Sequence, residues 1–391
     1  MESNNYSLDD KFSIKEITDL NKFRELRTVW DELAKKQGPF APFLSFGWFK
    51  IWLDHFLKDN RLLILLLHKG EKILGIAPFL IKKEKFKGVK IRKIELIGNI
   101  YSPIRYFLFD ESDNGERIKN ASFIFKYFSK NYRNWDIADL SGIPEENFSF
   151  DILKKSIKEI GCSSSDYFCY ANWYLDGINY SGEEYLRRRP GNIRENVPYR
   201  MRRLKRIGEL EFKMIKEYGD IDKYMDIYYD LYSKSWQEKE EIGPTFHRDL
   251  AKMTARNGWL RLGFLFLDGC PMAGQLWICA NECAYILKLF YDQKYEKYAP
   301  GKILTAEMIK YVIDFDKVKT IDYVHGDESY KKDWMPKRRE RKGVLIFNNN
   351  LKGQYLAFVM NKIQPAFNKN RYLRTTKEII KRYLRLTHQP G

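Results

Sequence analysis

Cysteine and histidine are scarce in this chain, five of each in 391 residues. The cysteines, Cys162, Cys169, Cys270, Cys279 and Cys283, are odd in number and follow no framework spacing. That argues against a disulfide-stapled secreted fold and for a reducing compartment. Cys279 and Cys283 stand four apart, but no histidine is near enough in sequence to complete a local metal site. Structural thiols and no metal are expected. Long apolar runs are also lacking: Leu62–Leu67 is far too short to span a bilayer. The polar start MESNNYSLDDKFS lacks the apolar segment of a signal peptide. These absences lead to the expectation of a cytoplasmic protein without a transmembrane segment. Neither a Walker motif nor a Ser-His-Asp signature occurs in a matching context, which removes the common routes to P-loop phosphotransfer and serine hydrolysis.

Acidic residues are outnumbered, 52 against 69 Lys and Arg, for a formal charge of +17. The excess is clustered. Arg187–Arg206 holds RRR and then RENVPYRMRRLKR, and Lys369–Arg385 holds seven cations against Glu378. Such segments suit a polyanionic partner, whether nucleic acid, anionic lipid or phosphorylated glycan, or form a solvated surface. Hydrophobic content of 44% is ample for packed cores, and the 16% of aromatic residues fits core and interface better than a base-stacking platform.

Length and patterning predict two mixed α/β domains, residues 12–178 and 179–350, followed by basic helices over 351–391. Residues 1–11 are expected to be flexible. Two hairpins look alike. One turns at Lys69-Gly70 and the other at Asp268-Gly269; each has a second glycine five residues on (Gly75, Gly274) and then an apolar strand. A repeat of this kind suggests duplication. At the start of the second domain, Ser181–Ile207 reads as basic helix broken at Pro190-Gly191 and at Pro198. Val344–Phe347 reads as the last strand.

The segment 284–334 carries the chemistry. Ala284–Asp292 reads as a strand, Pro300-Gly301-Lys302 opens an amphipathic helix with Ile303, Leu304, Met308, Ile309 and Val312 at helical spacing, and Thr320–Val324 reads as a second strand. A strand feeding a helix N-terminus can hold phosphate. His325-Gly326-Asp327-Glu328-Ser329-Tyr330-Lys331 then places acid–base groups beside it. Acyl transfer needs a base for the acceptor proton and a donor for the oxyanion. Asp327 and Glu328 are candidate bases, with His325 as an alternative; Tyr330 is a candidate proton donor. The same acids can instead cap the following turn and pair with Lys331.

Phe290–Asp292 (FYD), Ala299–Lys302 (APGK), Gly326–Lys331 (GDESYK) and the hairpin Leu265–Ile278 resemble the GNAT superfamily, in the CelD-like branch of polysaccharide biosynthesis, related to the FemABX aminoacyltransferases. PFLSFGWFKIW at Pro42–Trp52 matches more weakly, and the resemblance spans roughly residues 40–335. It implies two tandem GNAT-like domains, each a central mixed sheet flanked by helices. It also implies an acyl-CoA donor lying between splayed strands. Tyr291, Asp292, Pro300, Gly301 and Lys302 would hold that donor. The acceptor would be an amine or hydroxyl of a sugar, glycan precursor or peptide, as in cell-envelope synthesis. Lys331, Trp236, Arg200 and Arg203 are candidate substrate contacts, and His247 a further one. The chain departs from the usual pyrophosphate signature, which has a second small residue after Gly-x. Aminoacyl-tRNA is therefore an alternative donor, and nucleic-acid binding without catalysis a third reading. A basic tail touching an anionic membrane is also expected.

Overall fold

The computed structural model describes residues 5–9, 12–110, 114–131, 135–144, 150–237 and 245–363. In chain order its strands are β1 Asn5–Asp9, β2 Phe12–Ile17, β3 Arg61–Lys69, β4 Lys72–Phe86, β5 Val89–Leu96, β6 Leu108–Phe109, β7 Ile137–Ile143, β8 Ser163–Leu175, β9 Leu210–Ile215, β10 Leu260–Leu267, β11 Cys270–Ala280, β12 Cys283–Tyr291, β13 Thr320–Asp322 and β14 Lys337–Phe347. They lie in one sheet, ordered β1-β2-β3-β4-β5-β7-β14-β8-β13-β12-β11-β10-β9, with β6 beside β4.

This order contains a repeat. β2–β5 form an antiparallel meander whose last strand runs parallel to β7, and β9–β12 form another whose last strand runs parallel to β13. The two similar hairpins, β3–β4 and β10–β11, occupy equivalent places. The space that a side chain on Gly75 would need is filled by Phe109, and the space at Gly274 by Phe290. At Asp268-Gly269 both residues have positive φ, 48° and 73°, as a two-residue hairpin turn requires.

The two sheets expected from the sequence are joined because the repeats exchange strands. β8 belongs by sequence to the first repeat but pairs with β13 of the second; β14 does the reverse and pairs with β7. β8 and β14 then pair with each other over eleven positions. β14 is much longer than Val344–Phe347. Its first half, Lys-Arg-Arg-Glu-Arg-Lys, resembles a charged loop, yet Arg341 is buried and Arg339 half-buried.

Apolar side chains alternate along β10–β12, so the second repeat buries two cores. Leu265, Trp277 and Ile286 pack with Ile303, Leu304, Met308 and Ile309 of the helix Pro300–Asp314. Phe264, Leu276 and Phe290 pack with Tyr224, Tyr228 and Leu231 of the helix Ile221–Ser233. The repeats meet where helix Phe46–Phe56 packs on helix Thr245–Arg256. There Phe43 meets Tyr285 edge-on, and the Tyr285 hydroxyl donates to Pro39 O at 2.5 Å.

Three expectations are corrected. Asn5–Asp9 pairs with β2 rather than being free. Pro198 does not break its helix: it lies in the first turn of Asn196–Lys205, where a missing N–H costs little. Residues 221–238 read from the sequence as one helix, but the helix that begins at Ile221 ends at Ser233. At the C-terminus, helix Leu351–Phe358 continues as a wider π turn, Val359–Ile363, and the basic run Lys369–Arg385 lies outside the described residues.

Candidate active site

β12 and β13 are parallel for only three pairs, Cys283–Thr320, Ala284–Ile321 and Tyr285–Asp322. β12 continues to Tyr291 while the chain after Asp322 turns away. Val324 has a φ of +64° and Gly326 one of +100°. Positive φ is costly for a β-branched residue and persists only where surrounding contacts enforce it. Here Asp322 enforces it: its Oδ1 accepts from Val324 N at 2.5 Å and from Asn172 Nδ2 at 2.7 Å, while its Oδ2 is paired with Arg339. Asn172 comes from β8 and Arg339 from β14, so the exchanged strands hold the splay open.

The splay is a cleft of about 510 Å³. Ile286, Leu287, Lys288 and Leu289 form one wall; Tyr323, His325, Glu328, Tyr330 and Lys331 form the other; Tyr232, Trp236 and Gln237 close over it. A smaller cavity of about 60 Å³ adjoins it through Leu287, Lys288 and His325 and reaches Tyr101, Phe246 and His247. The sequence candidates His325, Glu328, Tyr330, Lys331 and Trp236 are thus brought together.

Their charges differ from a simple reading of the motif. Burial, reinforced by the Lys331 and Lys288 ammoniums, pushes the His325 pKa down to about 4, so the ring is neutral at pH 7. Burial also pushes the Tyr330 phenol up, with Glu328 adding to it, so the hydroxyl keeps its proton. Lys331 is buried and held below its ordinary pKa by desolvation, which outweighs its pairing with Glu328 at 2.7 Å. Its Nζ also donates to His325 O at 2.7 Å, fixing the loop. For Glu328, burial acts upward, but the Lys331 hydrogen bond and charge prevail and lower its pKa.

Asp327 lies apart. Its carboxylate takes a two-pronged ion pair from Arg338, at 2.9 and 2.8 Å, and accepts from Trp173 Nε1 at 3.0 Å. The Arg338 hydrogen bonds hold its pKa below the usual range. It does not line the cleft. His247 is buried in the adjoining cavity, its pKa pushed down to about 3, chiefly by desolvation.

At the far end of β12, Asp292 is buried and caps the turn Gln293–Tyr298, accepting from Lys294 N at 3.0 Å. Ala299 sits at φ +50° and Pro300 opens the helix as its first residue. Lys302 N and Ile303 N both return to Ala299 O, at 3.0 and 3.4 Å. Gly301 N is therefore the first-turn N–H without an acceptor among the described residues. A Cβ on Gly301 would lie 3.2 Å from the Tyr291 ring, and Tyr291 in turn packs on Trp236 with ring centres 4.5 Å apart. The basic helix lies alongside. Arg200 donates to Lys297 O at 2.6 Å, and Arg203 lies over the Tyr298 ring.

Sequence reasoning missed Lys288, Gln237 and Gln275. Lys288 is the lone cation in the apolar strand Ala-Tyr-Ile-Leu-Lys-Leu-Phe-Tyr, and Gln275 the lone amide in Ala-Gly-Gln-Leu-Trp-Ile; both oddities were visible signals. Gln275 is fully buried. It donates to Gly301 O at 3.2 Å and Thr305 Oγ1 at 2.8 Å, and accepts from Trp277 Nε1 at 2.8 Å, which ties the helix start to the sheet. Gln237 Nε2 donates to Leu289 O at 2.6 Å, on the edge that the splay exposes.

A parallel strand pair that splays toward a helix N-terminus is the arrangement implied by the sequence motifs, and residues 191–332 match the acetyltransferase (GNAT) domain family. The chain carries a GNAT acyltransferase domain. Several solved structures share the whole two-repeat fold. FemX aligns at 12% identity and a TM-score of 0.58, over 89% of this chain and all of FemX. L-PGS from Bacillus licheniformis aligns at 10% identity and a TM-score of 0.52, over 91% of this chain and 99% of that one. The C-terminal domain of a putative lysylphosphatidylglycerol synthetase from Agrobacterium fabrum aligns at 10% identity and 0.52, over 88% and 97%. No curated protein matches in sequence. Residues 191–332 thus form an acyltransferase domain of GNAT type, set within a two-repeat fold that these structures share.

Proposed function

We propose that the chain transfers an acyl group from acyl-CoA to an amine or hydroxyl of a sugar, polysaccharide precursor or peptide. The observation that carries this reading is the exposed edge of β12. Leu289 O accepts from a side-chain carboxamide, that of Gln237, rather than from a strand. A pantetheine arm offers the same kind of N–H and can add to the edge as a strand would. In this reading Tyr291, Gly301 and Lys302 would hold the far end of the donor at the helix start, where phosphate is favoured.

In this reading neutral His325 takes the proton from the acceptor as its nitrogen or oxygen attacks the thioester carbonyl. The C–S bond then breaks, and the Tyr330 hydroxyl gives its proton to the leaving thiolate. Lys288 supplies positive charge for the oxyanion. Lys331 and Glu328 position the loop that carries His325. Mass spectrometry of ligands retained by protein from its native host tests the donor; a CoA species supports the reading, and retained tRNA in its place overturns it. Removing the Lys302 charge with Lys302→Ala should weaken CoA binding several-fold, with the loss shrinking at high salt. Gly301→Phe should weaken it further, because Tyr291 already fills the space beside Cα. Calorimetric titration of both variants provides the check, and unchanged affinity in both would remove this site.

A specific observation favours aminoacyl-tRNA as a second reading. A single free first-turn N–H is a poor pyrophosphate cradle, whereas Arg200 and Arg203 extend the basic surface beyond it. If a tRNA docks there, Arg200→Glu with Arg203→Glu should lower its affinity at least tenfold and flatten its salt dependence. If CoA is the donor, the same pair should change donor affinity only slightly. Filter binding and titration separate the two.

A further inference from the structure

The helix Leu351–Phe358 is apolar on both sides. Leu356 and Ala357 face the core formed with Ile91, Ile137, Leu345 and Phe347. On the opposite side Leu351, Tyr355 and Phe358 are 88%, 53% and 57% exposed. Their spacing of four and three residues stacks them into one stripe. An ordinary surface helix carries polar residues there.

The surroundings of the stripe are cationic. Lys352 Nζ donates to Lys90 O at 2.9 Å, which fixes the helix start against the β4–β5 hairpin. That hairpin carries Lys83, Lys85, Lys87 and Lys90, all exposed and none with an ion-pair partner among the described residues. Lys362 follows the helix, and the basic run Lys369–Arg385 continues the sequence. No helix among the described residues is long and apolar enough to cross a membrane.

We propose that this face docks the protein on an anionic lipid surface. Leu351, Tyr355 and Phe358 would insert at the headgroup boundary while the hairpin lysines and Lys352 meet lipid phosphates. Two weak signals side by side, a short apolar stripe and a polybasic patch, are what reversible attachment requires. A second copy of the chain is a poorer occupant, because it would bring the same lysines together at a net charge of +17 per chain. This inference does not depend on which donor the cleft takes.

Co-sedimentation of the full chain with vesicles tests it. Vesicles with one third phosphatidylglycerol in phosphatidylcholine should bind at least tenfold more protein than pure phosphatidylcholine, and binding should fall with salt. The triple variant Leu351→Ser, Tyr355→Ser, Phe358→Ser should lose at least tenfold of that binding. Because that variant alters a helix, Lys85→Glu with Lys87→Glu provides a second route to the same loss, with circular dichroism confirming that both remain folded. Equal binding to the two vesicle types overturns the proposal. So does parent-level vesicle binding by both variants. A sedimentation change from dimer to monomer in the triple variant, without vesicle binding by the parent, would assign the face to a second copy instead.

Discussion

His325→Gln should lower turnover by about 10²–10⁴-fold while leaving donor affinity within about twofold, because it removes a proton acceptor but keeps a planar polar side chain. Asp327→Asn should cost less than about tenfold, since that carboxylate is committed to Arg338 and Trp173 outside the cleft. Thiol release from acyl-CoA with an amino-sugar and peptide panel measures both. Full activity in His325→Gln, alongside a large loss in Asp327→Asn, would return the base to Asp327. The pH profile gives an independent check. A base with a pKa of about 4 loses activity only as pH falls toward 4, not near the ordinary histidine value of about 6.5. Stability should change earlier. The folded pKa lies below the unfolded one, so as pH falls through about 6.5 the unfolded chain takes up the proton first. Folding stability therefore declines between about 6.5 and 4, and His247, depressed to about 3, adds to the decline with the same sign. Thermal melts at pH 7.5, 6 and 5 should fall in that order, and His247→Phe should reduce the slope.

The contrast between His325 and Asp327 marks the limit of what could be read from the sequence. Local features were legible. Apolar periodicity gave the helix Pro300–Asp314 and the strands on either side, and Asp268-Gly269 gave the turn between β10 and β11. Matching glycines five residues beyond each turn gave the repeat. The cleft itself could be placed to within a few residues, because Gly-Asp-Glu-Ser-Tyr-Lys follows a short strand directly. Side-chain roles within it depend on partners remote in sequence. Asp327 is held by Trp173, 154 positions away. The histidine's pKa is lowered chiefly by burial, and Lys331 and Lys288 add to it from two different elements. Strand exchange was also hidden. β8 and β14 satisfy neighbours in the other repeat, and no periodicity in Lys337–Phe347 announces that Arg341, within its charged half, is buried.

Asp322→Ala should destabilise the fold by about 3–5 kcal/mol, the usual consequence of leaving the other member of a buried ion pair uncompensated. Asp322 is nearly fully buried, and its carboxylate serves three groups at once: Arg339, Asn172 and Val324 N. Arg339 keeps its contact with the Tyr174 ring and with Asn172 Oδ1, but loses the Asp322 carboxylate. Asp322→Asn retains part of the hydrogen bonding and should cost less, because a neutral amide still fills the space. The effect should extend to the site. Without an acceptor for Val324 N, the positive φ of Val324 loses its support, and the turn that aims Tyr323 and His325 into the cleft can relax. Residual folded Asp322→Asn protein should therefore show lower turnover than its remaining stability would suggest. Urea unfolding gives the stability change and single-turnover kinetics the activity. A loss below about 1 kcal/mol in Asp322→Ala would mean that the three-residue strand β13 is held by its backbone pairing alone, and that the splay needs no buried charge to keep it open.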